Sequence, residues 1–135
     1  MSSPDSSSVP ASLEGEATLA GLTAPVSIER DAQGVPVLRA STRADIARAT
    51  GYVHAQDRLF QMDLLRRTGA GELAALLGPA LLETDRHIRV HQFRLRAREA
   101  VAALDPRGRA LLEAYTHGVN AAIADSGMRP FEYLL

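Results

Sequence analysis

Apolar residues recur with helical spacing along the stretch from Ile46 to Gly78. They lie three, four and seven positions apart, which places them on one face of a helix. The members of this face are Ile46, Ala49, Val53, Phe60 and Leu64. A second stripe at helical spacing is polar and consists of His54, Asp57 and Gln61. We therefore expect a helix packed on both sides, with some of its polar groups hydrogen-bonded inside the protein.

Local signals predict the ends of this helix. Thr42 and Asp45 have the spacing of a capping box, so the helix begins near position 43. Asp63 lies three and four positions before a pair of arginines, the spacing of ion pairs on one helical turn. Gly69 and Gly71 then interrupt the pattern, and a further short helix follows as far as Gly78-Pro79.

Three short segments before the long helix are predicted to be strands. They are Ala17–Leu22, Val26–Arg30 and Val35–Arg39. Between the second and the third, Asp31 and Gly34 occupy the first and fourth positions of a type I turn. Pro36 lacks a backbone N–H, so its strand is expected at an edge or at a bulge.

The second half of the chain is predicted to be helical. One helix is expected over Thr84–Leu104, with Phe93, Ala97, Ala100, Val101 and Leu104 on its apolar face. Asp105-Pro106 is a strong helix start, because Asp caps an N-terminus and Pro suits the first helical position. The helix that follows should end near Gly127. Its apolar positions are Leu111, Leu112, Tyr115, Val119, Ala122 and Ile123.

Composition bounds the class of protein. The 135 residues, 46% of them hydrophobic, suit one modest domain. A net charge of −1 disfavours nucleic-acid binding, even though all fifteen basic residues are arginine. The sequence has no apolar run near the roughly 20 residues that a membrane span needs. Cysteine is absent, which excludes disulfides, thiolate metal sites and a cysteine nucleophile on this chain.

The chain divides into two regions. Residues 1–14 are rich in Ser and Pro and are predicted to be a disordered leader, without the basic start and apolar core of a signal peptide. Residues 15–135 form the folded part, with strands over about 16–40 and helices over about 43–126. Its last residues form an apolar tail without a stop signal, so we interpret the chain as truncated there.

Candidate chemistry is sparse. His87 and His91 have the spacing of two metal ligands on one helical turn, yet two surface histidines on an arginine-rich helix explain them better. His54 and Asp57 could form an acid–base pair, although a buried structural hydrogen bond is the better interpretation. We assign to a structural polar cluster His54, Gln56, Asp57, Arg58, Asp63, Arg66 and Arg67. The residues by themselves indicate no catalytic constellation and no metal site.

Several motifs, taken in order, resemble the penicillin acylase family. The strongest is the run GYVHAQDRLFQMD from Gly51 to Asp63, followed by Arg66-Arg67. Before it come Ile28-Glu29-Arg30-Asp31 and Gly34-Val35-Pro36, and after it come Gly71-Glu72-Leu73-Ala74, Leu77-Gly78, Asp85 with Arg89, Tyr115, Gly118-Val119-Asn120-Ala121 and Pro130-Phe131-Glu132. Each motif alone is weak, but their order and spacing over 17–135 are highly specific.

The resemblance implies an α+β fold, the αββα sandwich of N-terminal nucleophile hydrolases, to which this chain would supply a few N-terminal strands and a mostly helical remainder. Such enzymes are made as a precursor that is cut into an α chain and a larger β chain. The new N-terminal residue of the β chain, usually Ser, attacks the amide. The match is to the front of the α chain, so the implied catalytic residues lie elsewhere and this chain needs no cofactor of its own. Some members hold a structural calcium, which is possible in the complete enzyme.

The resemblance predicts the α part of an amidase acting on N-acylated small molecules, with the β chain and an acylated amide as its partners. Nucleic acid and membrane insertion are not expected. The acyl group could be a β-lactam side chain or that of an acyl-homoserine lactone. Candidates for contacts behind the acyl pocket are Tyr52, Val53 and Phe60, although core packing explains each of them too. A non-catalytic helical interaction module, or a truncated inactive homologue, is the alternative. The resemblance implies a periplasmic or secreted protein, but this sequence shows no signal peptide, so the compartment, cytoplasmic included, stays open.

Overall fold

The computed structural model of the chain describes residues 15–16, 18–125 and 133. This part is mostly helical and carries one two-stranded antiparallel sheet, so it is an α+β arrangement as predicted. Its elements are β1 (Ser27–Arg30), β2 (Pro36–Arg39), α1 (Arg43–Ala70), α2 (Ala74–Leu77), a 3-10 turn (Pro79–Leu81), α3 (Leu82–Val90), α4 (Phe93–Ala102) and α5 (Pro106–Asp125). The predicted leader, residues 1–14, and the predicted helix end at Gly127 lie outside the described residues.

The hairpin confirms two of the three predicted strands. β1 pairs with β2 in a register that places Ile28 opposite Leu38 and Arg30 opposite Pro36. The intervening turn is closed by the Gly34 N–H, which donates to the Asp31 carbonyl at 2.9 Å. The Asp31 carboxylate also accepts from two backbone N–H groups of the turn, at 2.8 and 2.9 Å. The turn chemistry predicted from Asp and Gly is therefore present.

The first predicted strand, Ala17–Leu22, is wrong for the part that the structure describes, because residues 18–22 form turns and irregular backbone. The segment is held across the start of α1 instead. Thr23 donates to the Asp45 carboxylate from its backbone N–H and from its hydroxyl. Arg48 also donates to the Ala20 carbonyl at 2.9 Å. Hydrogen bonds to a helix have replaced the hydrogen bonds of a strand.

Helix α1 begins and ends largely as its local signals predict. Thr42 is the N-cap and accepts from the Asp45 N–H at 3.1 Å, and Gly71 ends the helix in the left-handed conformation, with φ of 65°. Gly69 lies inside the helix, so the predicted interruption there is wrong and Gly71 alone stops it. The structure adds a kink at Arg58, where φ is −141° and ψ is 23°. The first half of the helix packs on α5, and the end of its second half, at Gly71, lies beside Asp85 and Arg89 of α3.

The core lies between the first half of α1 and α5. Val53 and Ala49 are each 1% exposed, and Ala122 of α5 is 3% exposed. The helices cross closely because two positions have no side chain. A Cβ atom on Gly51 would overlap the Tyr115 carbonyl oxygen, and one on Gly118 would overlap the Arg48 carbonyl oxygen. The buried stripe of α5 therefore consists of small residues, and the predicted face shares only Ala122 with it. Leu112 and Ile123, which we placed on that face, are 40% and 45% exposed.

The single helix predicted over Thr84–Leu104 is also wrong, since it is divided into α3 and α4. Gln92 adopts φ of 53°, which interrupts the helical path between His91 and Phe93. The apolar residues predicted to face a core on α4 are exposed in this chain. Periodicity predicted the helical content there, but not the break and not the exposure of these residues.

Candidate functional site

Polar side chains of α1 form three separate sets of contacts, and the first two of these join α1 to another element. At the first, Arg30 of β1 donates to both carboxylate oxygens of Asp57, at 2.7 and 3.0 Å. Hydrogen bonding to Asp57 raises the pKa of the Arg30 guanidinium. Arg30 also donates to the Gly34 carbonyl at 3.0 Å, so one side chain fixes the hairpin turn and the α1 kink together. This bidentate geometry is the strong form of an ion pair.

The second place joins α1 to α5. His54 Nδ1 lies 3.1 Å from the Tyr115 hydroxyl, and the two rings meet edge to face with centroids 5.8 Å apart. His54 and Asp57 thus have different partners, and both are exposed. The expected buried hydrogen bond between them is not what the structure shows. Neither do they form an acid–base pair, because each is engaged by another element.

The third place is centred on Asp63. Its carboxylate accepts from Arg66 at 2.6 and 3.0 Å, from Arg67 at 2.8 Å and from the Tyr133 hydroxyl at 2.9 Å. Partial burial pushes the pKa of Asp63 upward, but the hydrogen bonds from Arg67, Arg66 and Tyr133 outweigh it and lower the pKa to about 2. Asp63 is therefore a carboxylate throughout the physiological range, and it suits a structural role rather than proton transfer.

The residues assigned to one polar cluster thus form separate contacts rather than a single site. Gln56 and Arg58 are both exposed, with Arg58 at the kink itself. No three carboxylate or imidazole groups converge on a possible metal ion anywhere in the described residues. His87 Nδ1 lies 2.8 Å from the Glu83 carbonyl oxygen, whereas the His91 ring stacks on the Phe93 ring with centroids 5.2 Å apart. The two histidines therefore have different partners.

The three candidates for the acyl pocket have structural contacts. The Tyr52 hydroxyl donates to Asp125 at 3.1 Å, while burial together with this hydrogen bond raises the pKa of Tyr52. Val53 is part of the core, and Phe60 meets the Tyr133 ring edge to face at 5.3 Å. Two open grooves occur on the described surface, of about 360 and 410 Å³, and none of the three residues lines either groove.

Sequence reasoning missed two buried carboxylates. Asp45 is 1% exposed and, besides its capping role, holds Thr23; hydrogen bonds from Thr23 lower its pKa. Asp85 is 4% exposed and accepts from the Leu73 and Ala74 N–H groups at 2.9 and 2.8 Å, which caps α2 from a different helix. Asp85 appeared among the family motifs, and that was the only signal of its importance. Its partners lie eleven and twelve positions away, which is too far for helical or strand periodicity to predict the contact.

The sequence and the fold both match known proteins. The penicillin amidase family model matches residues 25–135. The chain is 43% identical over 121 residues to a penicillin acylase 2 proenzyme from Pseudomonas sp. strain SE83, covering 90% of this chain and 16% of the relative. It is 39% identical over 127 residues to the acyl-homoserine lactone acylase QuiP of Pseudomonas aeruginosa, covering 86% and 15%.

A penicillin G acylase from Escherichia coli is 36% identical over 105 residues, covering 78% of this chain and 12% of the relative. Among solved structures, the thermostable penicillin G acylase of Alcaligenes faecalis superposes with a TM-score of 0.72 at 34% identity, covering 82% of this chain and 60% of that one. The chain spans between 12% and 16% of the length of these curated relatives. On the family match and these identities, the chain belongs to the penicillin amidase family.

Proposed function

We propose that this chain is the α part of a penicillin acylase-like amidase, which hydrolyses the amide bond of N-acylated small molecules with a nucleophile on a separate β part. One observation carries the proposal: relatives named penicillin acylases and acyl-homoserine lactone acylases match nearly the whole chain at 36% to 43% identity. Two kinds of acylase share this segment. We therefore infer that it supports features common to both enzymes and does not determine which acyl group is accepted.

The contacts of the described residues fit a supporting role. Polar side chains that the family motifs contain are used in structural contacts. Arg30 of β1 is joined to Asp57 of α1, and Asp63 is paired with Arg66 and Arg67 within α1. A nucleophile needs an unengaged Ser, Thr or Cys beside a base. The ion pairs of α1 instead make a rigid frame, on which a second polypeptide can be held in register.

The comparisons also support a processed precursor. One relative is named a proenzyme, and this chain covers only 16% of it. The same chain covers 60% of the matched chain in the solved penicillin G acylase. That chain is therefore several times shorter than the proenzyme, as expected when a precursor is cut and the homologous segment lies on the smaller product.

The chemistry would reside in the β part. Its new N-terminal residue would attack the amide carbonyl, with its own α-amino group as the base, and backbone or Asn donors would hold the oxyanion. Together with the hairpin of this chain, the β part would complete the αββα sandwich. A structural calcium is proposed only for the complete enzyme, because the described residues contain no group of carboxylates that could bind one.

Tyr52, Val53 and Phe60 are proposed to stabilise the wall behind the acyl pocket indirectly. Tyr52 is the testable member, because its ring lies in the core while its hydroxyl reaches Asp125. Tyr52→Phe should lose about 1 kcal/mol of stability through the hydrogen bond alone. Tyr52→Ala should lose about 3–5 kcal/mol and change the preference among acyl chain lengths in the complete enzyme. Unchanged stability and unchanged acyl preference in Tyr52→Ala would exclude both roles.

The function is tested by expressing the complete gene and analysing the product by N-terminal sequencing and intact mass. We expect two chains, the larger beginning with Ser, Thr or Cys, and hydrolysis of penicillin G, of an acyl-homoserine lactone or of a related acyl amide. Replacing the first residue of the larger chain with Ala is the control, and it should abolish both hydrolysis and cleavage. One uncleaved polypeptide that hydrolyses none of the panel would contradict the proposal and favour an inactive homologue or an interaction module.

A further inference from the structure

The joint between α3 and α4 is a single strained residue. Gln92 adopts φ of 53° and ψ of 37°, and it is the only residue other than Gly with a positive φ in the part of the chain that the structure describes. This conformation is disfavoured about fivefold to thirtyfold for a residue with a Cβ atom. No Gly or Pro lies between Pro79 and Pro106, so the local sequence contains no signal that ends a helix there. Contacts elsewhere therefore impose the strain.

The bend also removes hydrogen bonds that a continuous helix would make. In one helix over 82–102, the backbone N–H groups of 93–95 would donate to carbonyls four positions earlier. Within the described part of the chain these N–H groups have no such acceptor, and Arg96 Nε donates to the His91 carbonyl instead, at 3.0 Å. Helices α3 and α4 have nine and ten residues, and helices this short are marginal in water by themselves. Local energetics thus favour one continuous helix.

Helix α3 is the fixed side of the joint. Asp85 is 4% exposed and caps α2 through two hydrogen bonds to its backbone. Arg89 donates from Nε to the Gly71 carbonyl at 2.8 Å. The backbones approach so closely here that a Cβ atom on Gly71 would lie 2.6 Å from the Asp85 carbonyl oxygen. These contacts hold α3 against the end of α1.

Helix α4 is the side that is free to turn. All ten of its residues are exposed to solvent. Arg94, near its start, donates to both carboxylate oxygens of Glu72, at 2.6 and 2.8 Å. Near its end, the carbonyls of Val101 and Ala102 accept from Arg109 of α5, at 2.8 and 3.2 Å. The bidentate ion pair is the stronger of the two restraints, because both of its partners are charged.

We propose that Gln92 is a hinge and that the Arg94–Glu72 ion pair holds it in the bent form. When the pair opens, residues 82–102 join into one continuous helix, and α4 turns away from the loop that follows α1. The side chains of Arg94 and Glu72 are 44% and 31% exposed, so salt weakens their attraction. The direction of α4 is therefore a property of this chain that ionic conditions change. The inference does not depend on the proposed amidase activity.

The first test measures a distance across the joint. The full 135-residue chain contains no cysteine, so it can carry spin labels at two substituted positions, Glu83→Cys on α3 and Ala100→Cys on α4. Both positions are exposed. A continuous helix separates them by about 26 Å along its axis, and the bent form brings them closer together. At low salt, with sucrose added to strengthen the folded state, pulsed electron paramagnetic resonance should show mainly the shorter distance.

Two matched substitutions on α4 then test the restraint. Arg94→Gln removes the ion pair and should raise the population near 26 Å about fivefold. About 1 M NaCl should act on the unchanged chain in the same direction. Arg98→Gln is the control, because Arg98 lies on the same helix and makes no ion pair with a described residue, and it should keep the shorter distance. The shorter distance alone in Arg94→Gln, or an equal rise in Arg98→Gln, would overturn the proposal.

The second test changes the hinge residue in the chain that already carries Arg94→Gln. Gly adopts the left-handed conformation freely but weakens a helix, whereas Ala does the opposite. Gln92→Gly should therefore lower the long-distance population and Gln92→Ala should raise it, with about a fivefold to thirtyfold difference between them. The amides of 93–95 should also exchange more slowly in Gln92→Ala, because they gain acceptors in a continuous helix. Equal distances and equal exchange in the two variants would refute the hinge.

Discussion

Gly118 is the position where the smallest change should disturb the fold most. Its Cα faces the backbone of α1, and a Cβ atom there would overlap the carbonyl oxygen of Arg48 and come within 2.9 Å of the Tyr52 nitrogen. These neighbours are backbone atoms, which cannot rotate away as a side chain can. Gly118→Ala therefore has to push α1 and α5 apart. The separation loosens the packing of Val53, the largest fully buried side chain of the core.

The magnitude follows from two opposing effects. Replacing Gly by Ala within a helix ordinarily stabilises it by about 0.5–1 kcal/mol. Overpacking a core ordinarily costs about 1–3 kcal/mol, and a clash between two backbones belongs at the upper end. The net expectation for Gly118→Ala is a loss of about 2 kcal/mol in the free energy of unfolding. Gly51→Ala, which clashes with the Tyr115 carbonyl across the same crossing, should cost about as much.

Gly69→Ala is the matched control. It lies in α1 as well, and a Cβ atom there meets nothing within 4 Å. The same chemical change should therefore stabilise the chain by about 0.5–1 kcal/mol. The double variant Gly51→Ala with Gly118→Ala should lose less than the two single losses combined, because the first substitution already separates the helices.

The assay is urea unfolding followed by helical circular dichroism. The exposed apolar side chains of α4 predict a weakly stable isolated chain, so sucrose is added equally to all samples to strengthen the folded state. A loss of 2 kcal/mol should lower the urea midpoint by roughly 1–2 M. The reasoning is refuted if Gly118→Ala unfolds at or above the midpoint of the unchanged chain, or if Gly69→Ala loses as much. A sharp cooperative melt without sucrose would contradict the expected weak stability.

Substitutions at three further positions test the polar contacts. The pKa of Asp63 in the folded chain, about 2, lies below its ordinary 3.8. The stability that the ionised Asp63 adds to the folded state is therefore fully present above about pH 4 and is lost as the pH falls toward 2. It amounts to at most about 2 kcal/mol, and to less after solvent screening. Asp63→Asn should flatten the pH dependence of the urea midpoint between about pH 4 and pH 2. An unchanged slope would show that ionisation of Asp63 does not stabilise the fold. Arg30→Gln should cost about 1 kcal/mol at low salt and less in 1 M NaCl, with faster exchange of the hairpin amides. Arg30→Lys keeps the charge without the bidentate geometry, so its free energy of unfolding should lie between those of the unchanged chain and Arg30→Gln. Equal stability of these three chains would show that the pair with Asp57 does not stabilise the fold. Asp85→Ala removes the acceptor of two N–H groups at the start of α2 and should cost about 1–3 kcal/mol, whereas Asp85→Asn, with one acceptor oxygen left, should cost less. Equal losses in the two Asp85 variants, measured by the same unfolding assay, would show that the hydrogen bonds are not the cause.

Features that depend on a few neighbouring residues were predicted well. Thr42 and Asp45 begin α1 as expected, and Gly71 ends it. Asp105, whose carboxylate accepts from the Arg107 and Gly108 N–H groups at 2.9 Å, begins α5. Caps are readable because donor and acceptor lie within one helical turn. The family was identified for a related reason: the order of short local motifs needs no knowledge of the fold.

Features that depend on a distant partner were not predicted. The segment before Thr23 has strand-like residues, yet Asp45, 22 positions away, holds it against a helix. Gln92 interrupts the predicted long helix with a left-handed conformation that its sequence does not indicate. The apolar positions of α4 were found correctly as a pattern. Their exposure depends on which elements pack against α4, and the periodicity of a sequence does not report that.

The sequence by itself determined the family, the helical content and most helix ends, because these depend on local propensity and short spacing. The tertiary structure decided which polar residues meet: Arg30 with Asp57 across 27 positions, His54 with Tyr115 across 61, and Asp63 with Tyr133 across 70. The His54–Tyr115 pair exists because α1 crosses α5 at backbone contact. A close crossing is made by the absence of side chains, and an absent side chain leaves no hydrophobic pattern to read.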